Sequence, residues 1–132
     1  MKSTFSILST LLFLLFLTSC KEQKKELNFT SFEGHGNEPG WLVRLYKKDS
    51  HWEYNLLLDY GEIKRKGLAD ISQSETGFMF ILKQPYDKIT GTIRTKSCVD
   101  DAGINYPNEI ELKYNDRTYL GCGSFQLPTL TN

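Results

Sequence analysis

Residues that advertise chemistry are scarce in this chain. Only two histidines and three cysteines stand among its 132 residues. Neither His35, inside a glycine-rich stretch, nor His51, ahead of an aromatic run, has the spacing of a metal ligand. No C-x-x-C pair is present, which removes the usual zinc and redox motifs. No nucleophile elbow or phosphate loop occurs, and Gly34-His35-Gly36 lacks the third glycine and the preceding strand of a dinucleotide fingerprint. The carboxylates of Glu38, Asp100 and Asp101 would serve hydrolysis only if folding brought a pair within ~5–10 Å. As turn residues, aspartates equally cap their own backbone. Basic and acidic residues balance at 16 each, so the basic face of a nucleic-acid binder is not expected. No stretch keeps helical periodicity, and no apolar run reaches the ~20 residues of a membrane-spanning helix. The chain therefore reads as a non-enzyme without metal or cofactor.

What is present begins at the N-terminus. Met1-Lys2 opens a short positive region, Ile7 to Leu17 is apolar apart from Ser9 and Thr10, and Leu17-Thr18-Ser19 ends in small polar residues before Cys20. The apolar stretch has the length of a signal rather than of a membrane anchor. Leu17-Thr18-Ser19-Cys20 resembles the lipobox of bacterial lipoproteins. That resemblance implies removal of residues 1–19, lipid on Cys20 as the attachment to a membrane, and an address in the bacterial cell envelope, expected to be the outer membrane. Residues 20–31, with the charged run Lys21-Glu22-Gln23-Lys24-Lys25-Glu26, read as a solvated tether. Residues 32–127 are then one domain and 128–132 a tail, a size that suits a single modest core.

Two cysteines remain, Cys98 and Cys122, and an even pair in an oxidising compartment is most simply a disulfide. The rest of the chain shows a period of two. Trp41, Val43 and Leu45 alternate with Leu42, Arg44 and Tyr46, and Trp52, Tyr54, Leu56 and Leu58 alternate with Glu53, Asn55, Leu57 and Asp59. Ile110, Leu112 and Tyr114 share one face against Glu109, Glu111 and Lys113. Asn115-Asp116 predicts a two-residue hairpin turn into a partner strand from Arg117 to Cys122. Further strands are expected at Ile63–Lys66, Phe78–Lys83 and Ile89–Lys96, with turns at 47–50, 59–61, 72–77 and 84–88. The fold expected is all-β, a small antiparallel barrel or sandwich of seven or eight strands with one disulfide. If Cys122 shares an inward face with Leu120, the disulfide staples the barrel shut.

Two segments exceed the generic pattern. Gly36-Asn37-Glu38-Pro39-Gly40-Trp41 precedes a strand, and Cys98-Val99-Asp100-Asp101 leads to Gly103, Tyr106-Pro107 and Gly121-Cys122-Gly123. Together they resemble a family of uncharacterised bacterial envelope proteins with a G-N-E-P-x-W signature, a C-x-D segment followed by Y-P, and a closing G-C-G. The resemblance covers residues 32 to 125. It implies an exported or lipid-anchored β-rich module whose domain occurs with lysozyme-inhibitor-like and META-type domains. Two readings of the signature stay open: Asn37, Glu38, Pro39 and Trp41 shape a tight loop and plug the barrel, or Asn37, Glu38, Trp41, Asp100, Gly103 and Tyr106 form a binding surface at one barrel end.

Inhibitors of c-type lysozyme insert an S-G-x-x-Y loop into the enzyme's cleft. Ala102-Gly103-Ile104-Asn105-Tyr106 is similar, with alanine in place of serine. A lysozyme or related peptidoglycan hydrolase is therefore one expected partner besides the membrane, and a small ligand inside the barrel is the other alternative. No nucleic-acid partner is expected.

Overall fold

The computed structural model describes residues 27–127. Cys20, the signal segment, the start of the tether and the tail 128–132 lie outside these residues. Within them the period-two runs become strands. β1 (Ser31–Asn37), β2 (Gly40–Lys48), β3 (His51–Leu58), β4 (Ile63–Ser74), β5 (Gly77–Leu82) and β6 (Ile89–Arg94) follow one another. The short β7 (Cys98–Val99) and β8 (Asn105–Tyr106) come next, then β9 (Asn108–Tyr114) and β10 (Arg117–Gln126). Eight strands close an antiparallel barrel in the order β1-β10-β9-β6-β5-β4-β3-β2, while β7 and β8 pair only with each other. Closure comes from backbone pairing of β1 with β10, from Ser31 opposite Gln126 to His35 opposite Cys122. A closed barrel leaves no sheet edge for another chain to extend.

The expected alternations hold: Trp41, Val43 and Leu45 on β2 and Tyr54, Leu56 and Leu58 on β3 point inward and are buried. Phe80, Leu82, Ile89, Ile93, Ile110, Leu112 and Tyr119 complete one core with Phe32. Each large apolar side chain buried this way contributes about 1.5–3 kcal/mol relative to exposure. Rings fit because glycines face them. A Cβ on Gly91 would lie 2.0 Å from Cζ of Phe80, and one on Gly36 would lie 2.2 Å from Nε1 of Trp41. The interior is thus filled by side chains rather than shaped as a lumen.

Several boundaries shift. Phe29 is buried and stacks near Trp52, Phe78 and Phe125 at centroid distances of 5.2, 5.0 and 4.3 Å. The folded domain thus begins upstream of residue 32, and residues 29–31 are not tether. β4 runs on to Ser74, leaving Glu75-Thr76 as the turn in place of 72–77, and β6 stops at Arg94. Asn115-Asp116 forms the expected turn, with Asn115 at φ 51°. Between β3 and β4 a short 3-10 turn places Asp59, Tyr60 and Gly61 successively at positive φ. Asp59 accepts hydrogen bonds from Nη1 and Nη2 of Arg117 at 2.6 and 3.0 Å and from the Tyr119 hydroxyl at 3.0 Å. The Arg117 hydrogen bonds hold its carboxyl below the usual carboxylate range and tie this turn to β10.

The Cys98–Cys122 disulfide is present, with Cα atoms 5.5 Å apart. Its place differs from expectation. Cys122 does share the Leu120 face, but that face points outward: Tyr119 is buried at 2% exposure whereas Leu120 is 68% exposed. The bond therefore fastens the β6–β9 connection to the outer wall instead of stapling the barrel.

Candidate binding face

The glycine-led signature is a hairpin. Gly36 pairs with Trp41 and Asn37 with Gly40, leaving Glu38 and Pro39, joined by a cis peptide bond, as the two central residues. Cis-proline at the second central position defines a type VI turn. The spacing explains the residue types: two residues of turn set glycine across from the tryptophan, and the indole occupies the room a side chain would fill. Nε1 of Trp41 donates to the Leu120 carbonyl at 3.2 Å, so the indole bolts β2 to β10 across β1. On the outside, the Tyr60 hydroxyl donates to the Asn37 carbonyl at 3.1 Å, and its ring lies over Gly40. Asn37 and Glu38 themselves are exposed.

The β6–β9 connection is a strap. Asp100 organises its tip: Oδ1 accepts the backbone N–H groups of Ala102 at 3.0 Å and Ile104 at 2.8 Å, while the Asp100 carbonyl accepts that of Gly103 at 2.9 Å. Gly103 is needed for its φ of 80°, since a Cβ there would meet nothing within 4 Å. Hydrogen bonds from the Ile104 and then the Ala102 backbone, with His35 beyond them, hold the Asp100 carboxyl below its ordinary range. Tyr106 sets its ring edge-on to His35 at 4.9 Å. Burial first, and the Asp100 charge second, push the Tyr106 hydroxyl up. His35 Nε2 in turn lies 3.6 Å from Asp100 Oδ2.

The turn and the strap meet around one concave site of about 530 Å³ on the outer wall. They do so from opposite barrel ends. The β1–β2 turn lies at the end shared with the β9–β10 turn, whereas the strap leaves β6 at the other end and reaches the turn along the wall. Of the expected surface residues, Asn37, Glu38 and Asp100 line this site. Tyr106 braces its floor through His35, and Gly103 shapes the tip of the strap. Trp41 does not belong to the surface: at 5% exposure it is core. His35, which the sequence shows only inside a glycine-rich stretch, is an outward residue of β1 opposite Cys122 and anchors the strap. The alternation Phe32-Glu33-Gly34-His35-Gly36 carried that signal, obscured by glycines at the inner positions.

Chemically the site is a surface of fixed charge and exposed apolar groups. Glu109 pairs with Lys96 at 2.7 Å, and Glu111 pairs with Lys113 at 3.2 Å and Arg94 at 3.5 Å. Among the described residues, no group of three histidine, cysteine or carboxylate side chains could hold a metal ion. Asp100 is committed to its own turn and to His35. Comparison with family models, with curated proteins and with solved structures finds no match to this chain.

Proposed function

We propose that the chain is a non-enzymatic, lipid-anchored module of the bacterial cell envelope that binds another protein through the face made by the β1–β2 turn and the strap. The observation carrying this reading is that two segments far apart in sequence, the same two that set the resemblance, converge on one cleft. Val99 and Leu120 line it with 63% and 68% of their surface in solvent, and the strap carries Ile104 at 53% exposure. Clustered apolar exposure of this kind costs solubility and marks association surfaces. The disulfide makes the strap a preorganised element, which lowers the ordering cost of binding.

A second reading, inhibition of a c-type lysozyme or related peptidoglycan hydrolase, is favoured by the strap hairpin. It presents exposed Ala102, Gly103 and Ile104 on a tip fixed by Asp100 and tied at its base by Cys98, the form of a loop that enters a cleft. A small ligand inside the barrel has less support, because the core side chains occupy that space.

Residues 27–132 contain every core side chain from Phe29 to Phe125 and serve as bait in envelope extract. Tyr106→Ala and Leu120→Ser are each expected to weaken capture by about tenfold or more, the scale of an interface anchor. Retention of the same partner at full strength by both variants would remove this face from the interaction. A lysozyme in the eluate supports the inhibitor reading, and a small molecule retained in native mass spectrometry supports the ligand reading. For the anchor, Cys20→Ala is expected to abolish incorporation of labelled palmitate; labelling that persists in the variant rules out Cys20 as the lipid site.

A further inference from the structure

We infer that the partner of this face is a basic polypeptide segment, which sets an arginine or lysine side chain into the cleft and lays its aliphatic part on Leu120 and Val99. The inference rests on the protein-binding reading above and names the chemistry of the partner. It starts from a local imbalance. The chain as a whole has equal numbers of acidic and basic residues, yet five carboxylates line the cleft against the single guanidinium of Arg94. Three of them are engaged: Asp100 by its turn and His35, Glu109 by Lys96, and Glu111 by Lys113 and Arg94. Glu38 and Asp101 are not. Among the described residues neither makes a hydrogen bond or an ion pair. One stands on the turn and the other on the strap, so a cation between the two segments faces both.

The apolar rim decides what kind of cation fits. Leu120 and Val99 line the same cleft and are 68% and 63% exposed. A hydrated metal ion gains nothing from those side chains. A lysine or arginine gains from both halves of the site, since its methylene stem covers apolar surface while its head reaches a carboxylate. Acidic segments and anionic membranes meet like charge here, which costs affinity and suppresses association.

The test titrates the whole chain, in non-ionic detergent, into two fluorescent peptides of equal length. Alanine and leucine are interspersed with arginine in one and with glutamate in the other. Anisotropy is expected to show the arginine peptide bound at least about tenfold more tightly, with a loss of about tenfold as salt rises from ~50 to ~500 mM. Glu38→Gln combined with Asp101→Asn is expected to remove most of that preference without moving the melting temperature, because neither side chain has a partner to lose. Leu120→Ser is expected to weaken the arginine peptide at both salt concentrations. Equal affinity for the two peptides overturns the inference, as does arginine binding unmoved by the charge variant. If Leu120→Ser weakens both peptides alike while the charge variant changes neither, the face binds protein but not through a cation. If no variant alters any binding, the protein-binding reading falls as well.

Discussion

Cys98→Ser is expected to lower stability by about 2–4 kcal/mol while leaving the barrel closed and releasing the strap. Cys98 and Cys122 are 24 residues apart, and in the chain-entropy model a loop of that size is worth roughly 3.5 kcal/mol through restriction of the unfolded chain. The folded state responds locally, because Cys122 faces outward and β1 and β10 meet through their own backbone pairing from Ser31 to His35. Without the bond the strap retains the His35 contacts of Asp100 and Tyr106 and the pairing of Lys96 with Glu109, which is largely exposed on the lysine side. An exposed pair such as Lys96–Glu109 contributes about 0–1 kcal/mol, and with the few His35 contacts this is too little to hold some ten residues against their conformational entropy. Urea unfolding of the variant measures the first part of the prediction, and amide hydrogen exchange the second. Protection is expected to vanish across residues 98–106 and to persist in β1, β9 and β10. Loss of protection in β1 and β10 together with the strap would show that the disulfide does close the barrel.

The misplaced face of Cys122 has a physical origin that also explains what else was legible. A strand reveals its inward side when apolar and polar residues alternate, as in β2, β3 and β9. In β10, Tyr119 and Leu120 are both apolar, and the inward positions after Tyr119 are Gly121 and Gly123, so alternation gives no direction. Parity of the cysteines still identified the pair. β1 escaped notice for the same reason: its inner positions after Phe32 are Gly34 and Gly36, which look like loop until the rings filling their space are known. β4 was read short because its half-buried positions beyond Ile63 are Arg65 and Gly67, the first paired with Asp87 at 2.7 Å. The turn and the strap were legible as unusual segments. They were expected side by side at one barrel end, whereas the strap comes from the other end along the wall, a route that depends on which way Cys122 points. Tyr60 over Gly40 and His35 beneath Tyr106 required the fold.

Trp41→Ala is expected to cost about 3–5 kcal/mol, the range for removing a buried aromatic side chain, whereas Glu38→Ala, three residues away, is expected to stay within about 0.5 kcal/mol. The contrast divides the signature into its two functions. Trp41 is 5% exposed, stacks edgewise near Tyr119 at 6.3 Å and holds the Leu120 carbonyl. Its loss empties the space that Gly36 and Gly121 leave open for the indole. Trp41→Phe keeps part of the ring volume but leaves the Leu120 carbonyl without its indole donor, so an intermediate loss is expected, with about 1 kcal/mol of it from the hydrogen bond. Glu38 has no partner to lose. Thermal or urea melts of the three variants test this directly. A stability loss at Glu38 comparable with that at Trp41 would mean that the carboxylate supports the turn, and would withdraw it from the binding face. A near-neutral melt combined with weakened binding of the arginine peptide would assign the exposed half of the hairpin to recognition and the buried half to the fold.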